Sequence, residues 1–347
     1  MDLQLTHSQL IRSRLNLLKS QCIIVERQRQ WQDTIDPQTL VLGKVIGRGG
    51  YGVVHKGTYQ GQTVAVLISY SFALPAKLLD FGKTKIPAAS MGIVKDNFIE
   101  EVEVWKNLDH PNVTKMIGAT ISMISSNSRH KIKKPKPENN FCVVSEYLKG
   151  GSLRSYLSRH RIKKLPYKIV VRFAIDIAKG LSYLHSQKVI HRDVKPENML
   201  IDQRKTIKLA DFGESEIEPL ELFIRSGERG TRGYMAPELV SRQAYGRKCD
   251  VYSFGICLWE IYCCDMAYTF DLENLTPDIY KEMRPSIPMH CPRPLAQLME
   301  QCWDTDPTKR PEMNDVVIVL EEIEKSEECQ TMSQHPQGCF NFFRLGR

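Results

Sequence analysis

The stretch HRDVKPENML, His191 to Leu200, with ADFGE following at Ala210 to Glu214, decides how this chain is read. Asp193 can take a proton from an attacking hydroxyl. Asn198 and Asp211 offer oxygens to a hard divalent cation. Lys195 adds a fixed positive charge two residues after the first carboxylate. Phosphoryl transfer needs these parts together: a carboxylate at the nucleophile, oxygens on the metal, and cations against the charge of the transferred group. The spacing puts Asp193 and Asn198 on one loop and Asp211 on the next turn, as one shared site requires.

Upstream, IGRGGYGVV sets Gly47, Gly49 and Gly52 between two β-rich runs. Glycines let backbone N–H groups approach phosphate without a Cβ in the way. A dinucleotide fold would open directly into a helix after such a loop. Strand-like VVHKGTY follows instead, which disfavours that fold. A plain Gly-rich hairpin is the alternative for this segment taken alone.

The rest of the chain supplies the frame. Leu10, Ile11, Leu15, Leu18 and Ile23 recur at helical spacing, which predicts a helix within the first 36 residues. DNFIEEVEVWKNL, Asp96 to Leu108, reads as a helix capped by Asp96. VTKMIGAT and FCVVSEYL read as strands, joined by a Ser-, Lys- and Pro-rich surface loop. Val170, Phe173, Ala174, Ile177, Leu181 and Leu184 mark one face of a long helix. DVYSFGICLWEIYCC, Asp250 to Cys264, is apolar nearly all round and predicts a buried central helix. The fold class is therefore α+β and bilobal: a small β-rich lobe with one helix, then a larger helical lobe. The boundaries expected are an N-terminal extension over 1–39, a catalytic domain over 40–325 divided near 148, and a tail over 326–347.

Bulk composition narrows the class. Of 347 residues, 42% are hydrophobic and 25% charged, the balance of an ordinary globular chain. The net charge of +8 is concentrated in RHKIKKPKP, from Arg129, and RHRIKK, from Arg159. No RNP, zinc-finger or arginine-rich pattern accompanies it, so solvated loops are expected and nucleic acid is not an expected partner. The ten cysteines form no CxxC pair, and Cys142, Cys249, Cys257 and Cys302 lie in apolar runs. That usage suits a reducing compartment. With no signal-peptide pattern and no membrane-length apolar run, the expected location is cytoplasmic, with the nucleus as an alternative.

These motifs together resemble the protein kinases, from about Leu40 to Leu320. Lys195 resembles the serine/threonine type, and CWDTDPTKRPEM, Cys302 to Met313, resembles the tyrosine-kinase-like branch. HPNVTKMIGA, LSYLHSQKVIHRDVKPENML, CDVYSFGICLWEIYCCDM and the closing QGCFNFFRLGR resemble plant Raf-like MAP kinase kinase kinases. The resemblance implies ATP as cofactor, with Mg²⁺ (or Mn²⁺ in its place), and protein substrates, downstream kinases among them. It places Ile46, Val54 and Ala65 over the adenine and Leu200 beneath it. Ser145 falls at the gatekeeper position and Glu146 to Leu148 at the hinge. Glu101 matches the helix-borne partner of a phosphate-holding lysine, with Glu100 and Glu103 as solvated alternatives. Arg192 would receive an activation-segment phosphate, with Ser226 as its candidate donor residue. Thr231 would bond the catalytic loop, Asp250 would anchor that loop, and Glu238 would pair with Arg310.

One part is displaced. Family strands read V-A-V-K, whereas this chain reads Val64, Ala65, Val66, Leu67. Lys77, opening KLLDFGK, resembles the missing lysine, which makes Leu67 to Ala76 an insertion. Either the chain bulges after Val66 and returns Lys77 to the strand, or TVAVLISYSF runs on as strand and leaves Lys77 distant. An active serine/threonine kinase is the main expectation; a pseudokinase scaffold is the alternative. A weaker reading concerns the tail, where Cys339 beside Phe340, Phe342, Phe343, Arg344 and Arg347 offers a weak peripheral membrane contact, against a plain polar end.

Overall fold

The computed structural model describes residues 34–49, 52–69, 91–121, 141–218, 230–270, 272 and 274–332. These form two compact units, one drawn from residues up to Glu103 plus Ile117–Ser145, the other from Val104–Met116 plus Glu146 onward. The mixed α+β class is as expected. The N-terminal helix, the 122–140 loop, Lys77, Ser226 and the Cys339 tail all lie outside the described residues.

The first unit is built on a five-stranded sheet: β1 (Leu40–Gly49), β2 (Gly52–Tyr59), β3 (Gln62–Ser69), β4 (Met116–Ile121) and β5 (Phe141–Glu146), in the order β1-β2-β3-β5-β4. Alternation decides its faces. Val64, Val66 and Ile68 are buried together with Leu40, Tyr59, Cys142 and Val144. Ala65 and Leu67, the intervening residues, are only half-buried on the opposite face. Helix α1 (Met91–Trp105) buries Phe98, Ile99 and Val102. It starts five residues before Asp96, so Asp96 lies inside the helix and is not its cap. The apolar i, i+1, i+4 spacing of 98, 99 and 102 sets the buried face, whereas the start lies upstream at Met91, directly after Ser90.

The second unit is mainly helical: α2 (Leu153–Arg159), α3 (Tyr167–Ser186), α4 (Pro237–Val240), α5 (Lys248–Cys263), α6 (Pro277–Glu282), α7 (Arg293–Cys302), α8 (Met313–Lys325) and α9 (Glu327–Met332). Short strands β6 (Gly151–Ser152), β7 (Val189–Ile190), β8 (Met199–Ile201), β9 (Ile207–Leu209) and β10 (Glu216–Ile217) punctuate it. All six apolar residues that marked the face of α3 are fully buried. Helix α5 is buried on nearly every side, and Cys264 ends it in the left-handed conformation, at φ 47°. Each aliphatic side chain so buried contributes roughly 1.5–3 kcal/mol. These two helices therefore make a rigid floor for the loops between β7 and β10. Among the described residues, no helix is long and apolar enough to cross a membrane.

Candidate active site

The HRDVKPEN loop is held from below by a single carboxylate. Asp250, in the first turn of α5 and inaccessible to solvent, accepts the backbone N–H of His191 at 2.9 Å and of Arg192 at 2.8 Å. The His185 imidazole Nε2 lies 2.9 Å from the same group. Burial pushes the Asp250 carboxyl up, but the hydrogen bond and charge of His185, His191 and the loop amides outweigh it and hold it below the usual range. The α5 N-terminus also favours an acid at this place. Asp250 thus occupies the anchoring position expected of it.

On that support the chemistry-bearing side chains converge. Lys195 Nζ lies 2.6 Å from Asp193 Oδ2 and donates to Thr231 Oγ at 2.7 Å. The Thr231 hydroxyl donates to Asp193 Oδ1 at 2.7 Å. The Asn198 amide donates to both the backbone oxygen and the carboxylate of Asp193, at 2.9 and 2.8 Å. Both amide hydrogens are therefore directed at Asp193, and the amide oxygen is turned away from it. Burial raises the Asp193 carboxyl, yet Lys195 and Thr231 more than offset this and keep it ionised well into acid. An ionised carboxylate fixed this way can orient a hydroxyl and take its proton.

Asp211 sits beside this cluster in the left-handed conformation, at φ 67°, as does Arg192 at φ 67°. Non-glycine residues rarely adopt it, and such strain is typical of working loops. The two loops are tied: the Ala210 N–H donates to Asn198 O at 2.8 Å, and His191 Nε2 lies 3.2 Å from Ala210 O. Phe212 turns inward between Trp105 and His191, with ring centroids 5.2 and 5.3 Å apart. Burial, then the neighbouring Asp193 charge, raises the Asp211 carboxyl. A carboxylate destabilised by desolvation and a like charge is one that a cation would stabilise.

No group of three or more acidic, His or Cys side chains suited to a metal occurs among the described residues. Asn198 and Asp211 nonetheless fit Mg²⁺, which keeps waters and phosphate oxygens and takes only one or two protein ligands.

The other expected site residues fall as follows. In the first unit Gly49 pairs with Gly52 and Gly47 with Val54, so the glycines flank a tight β1–β2 hairpin. A Cβ on Gly47 would meet only ordinary contacts, at 3.6 Å, so packing alone does not require glycine there. At Gly52 a Cβ would lie 2.3 Å from the Ile68 carbonyl oxygen, so β3 itself demands that glycine. Ile46 is exposed; Val54 and Ala65 are half-buried on the face away from the core. Glu101 is the buried acid of α1, whereas Glu100 is exposed and Glu103 half-buried. Ser145 ends β5.

In the second unit the Glu146 side chain is taken by Lys208 Nζ at 2.7 Å and the Lys115 N–H at 2.8 Å, which leaves any adenine contact to its backbone. Glu146 and Leu148 line a cavity with Lys149 and Asp202–Arg204. Leu200 is half-exposed on β8 between buried Met199 and Ile201.

Strand β3 does not bulge after Val66. It continues in register to Ser69, with Leu67 opposite Val54, Ile68 opposite Val53 and Ser69 opposite Gly52. Leu67 therefore stands on the face of Val54 and Ala65, where the resemblance calls for lysine. Three inserted residues are strand, continuing the Val- and Ile-rich run TVAVLIS in its pairing with β2.

Sequence reading missed two clusters. Arg192 is occupied by the chain's own acids: Glu216 at 2.5 Å and Glu214 at 3.5 Å, with Tyr245 hydroxyl at 2.8 Å. Arg154 bridges Glu197 at 2.7 Å and buried Glu260 at 2.6 Å, and reaches the Tyr234 hydroxyl. The alternating acids of GESEIE were the available signal for the first. Nothing local in sequence announced the second.

Comparison with known proteins agrees with this geometry. Residues 40–320 match the family model described as protein tyrosine and serine/threonine kinase. The chain belongs to the protein kinase family. It is 33% identical over 311 residues to the serine/threonine/tyrosine-protein kinase HT1 of Arabidopsis thaliana, covering 87% of this chain and 70% of that protein. It is 34% identical over 294 residues to the serine/threonine-protein kinase STY46 of the same plant, covering 84% and 45%. A serine/threonine-protein kinase/receptor of Acanthamoeba polyphaga mimivirus is 36% identical over 289 residues, 82% of this chain but 15% of the viral protein. The chain thus spans less than half of two of these relatives.

Proposed function

We propose that this chain is a serine/threonine protein kinase that transfers the γ-phosphoryl group of ATP to protein hydroxyls. The observation that carries the reading is the Asp193 carboxylate, ionised and clamped between Lys195, Thr231 and Asn198 on a loop anchored by buried Asp250. Asp193 orients the substrate hydroxyl and accepts its proton. Lys195, which already bridges Asp193 and Thr231, supplies positive charge beside the transferred group. Asn198 and Asp211 would hold Mg²⁺, with Mn²⁺ as a substitute, and the ion supplies charge neutralisation on the phosphates when bound. Backbone amides around Gly47 and Gly49 would cover those phosphates.

The relatives' names support serine and threonine as acceptors, as does Lys195 two residues after Asp193. We read the cellular role as Raf-like signalling in the cytoplasm, acting on downstream kinases, with nucleic acid outside its partners and the Cys339 tail as a weak peripheral membrane contact. The Leu67 register favours the pseudokinase alternative at one position only. Retention of every catalytic-loop part weighs against it, because a scaffold needs none of them.

The test is phosphorylation of a generic protein substrate with labelled ATP and Mg²⁺, followed by phosphoamino-acid analysis. Phosphoserine and phosphothreonine that vanish in Asp193→Asn are expected. Nucleotide binding with no transfer, in the wild type and in a Leu67→Lys variant alike, would overturn it in favour of the scaffold.

A further inference from the structure

The segment that follows Phe212 carries glutamates at every second position: Glu214, Glu216 and Glu218. Each is paired with an arginine of the loop floor. Glu216 Oε2 accepts from Arg192 Nη1 at 2.5 Å, and Glu214 lies 3.5 Å from Nη2 of the same guanidinium. Glu218 accepts from Arg247 Nε at 2.9 Å and from its backbone N–H at 3.2 Å. The backbone is fixed in parallel with the side chains: Glu216 pairs with Ile190 and Ile217 with Val189, and the Glu218 N–H donates to Lys188 O at 2.7 Å. Arg192 is almost wholly buried, and a buried guanidinium requires an anion. Here two carboxylates, those of Glu216 and Glu214, supply it. A phosphate brought to the same guanidinium would meet like charge and would have to displace an existing short ion pair.

We propose that Glu216, with Glu214 and Glu218, is a built-in acidic staple that holds the start of the activation segment on Arg192 and Arg247 in the absence of any phosphate. The expectation that Arg192 receives an activation-segment phosphate is thereby replaced. On this reading residues 214–218 need no phosphate to stay in place. The consequence for turnover rests on the kinase reading; the staple itself does not.

The test uses the full chain, before and after treatment with a broad-specificity phosphatase, with mass spectrometry showing that phosphate is gone. Hydrogen exchange over 214–218 is measured alongside phosphorylation of a generic protein substrate. In dephosphorylated wild type the 214–218 amides stay protected, and turnover stays within about twofold of the untreated protein. Glu216→Lys, which reverses the charge facing Arg192, loses that protection and at least about tenfold of turnover.

A double-mutant cycle identifies the pair: Arg192→Ala with Glu216→Ala loses no more than either alone. Should Glu216→Lys fail to fold, Glu216→Gln with the same exchange measurement replaces it. Rapid exchange of 214–218 in dephosphorylated wild type overturns the proposal, as does a tenfold activity loss on phosphatase treatment. If wild type and Leu67→Lys alike transfer no phosphate in any state, the kinase reading fails, and exchange over 214–218 still decides the staple.

Discussion

Lys195 and Asp193 meet at 2.6 Å, with the Thr231 hydroxyl joined to both. The lysine stabilises the ionised acid, and the threonine holds the carboxylate plane. Replacing Asp193 with Asn keeps shape and volume but removes the charge and the proton acceptor. Turnover should fall roughly 10²–10⁴-fold while the thermal midpoint moves little. Autophosphorylation at the wild-type rate in Asp193→Asn would refute the assignment.

Arg310 and Glu238 form two parallel hydrogen bonds of 2.7 and 2.8 Å, and the Arg310 side chain is fully buried. Removing the acid strands a buried cation. Glu238→Ala should destabilise the second unit by roughly 3–5 kcal/mol, read as a lower urea midpoint. A shift under about 1 kcal/mol would mean that water or another acid takes over.

Asp211 gives a pH prediction with a definite sign. Its native carboxyl is raised by burial and by the Asp193 charge, so holding it ionised costs stability at neutral pH. That cost disappears as pH falls through the raised value. A cation at this place competes with the proton, so Mg²⁺·nucleotide should raise the melting temperature more at pH 8 than near pH 5. Asp211→Asn should remove that pH dependence. An equal shift at both pH values in the wild type would contradict the placement of the ion at Asp211.

How far the residues could be read in advance follows from range. The face of α3 was legible because helical periodicity is local, and Val170 through Leu184 repeat it without interruption, while α5 was legible because its run is apolar nearly all round. The Asp193, Asn198 and Asp211 constellation was legible because its spacing along the chain is short. The Arg154–Glu260 pair spans 106 residues and the Arg192–Tyr245 bond 53, and no local pattern encodes such meetings. The start of α1 was misplaced because Asp96 looks like a cap, whereas the helix has already begun at Met91.

Strand β3 yields the last prediction. It runs unbroken through Val66 to Ser69, and Leu67 faces the same side as Val54 and Ala65. Deleting Leu67 to Ala76 removes ten residues, an even number, and joins Val66 directly to Lys77. In that shortened strand Lys77 takes the register of Leu67, opposite Val54, on the face away from the Val64 and Val66 core. Leu78 then takes the buried place of Ile68, an apolar exchange that the core tolerates at under about 1.5 kcal/mol. The side-chain period of two makes the outcome sharp, because a deletion of odd length would turn the lysine into the core. The shortened chain should bind ATP more tightly and transfer phosphate at least about tenfold faster, with Leu67→Lys in the full chain gaining part of that. Lys77→Met in the shortened chain should abolish the gain. If deletion and Leu67→Lys both leave ATP KM and turnover unchanged, Leu67 does not stand in a phosphate-holding position and another cation performs that task.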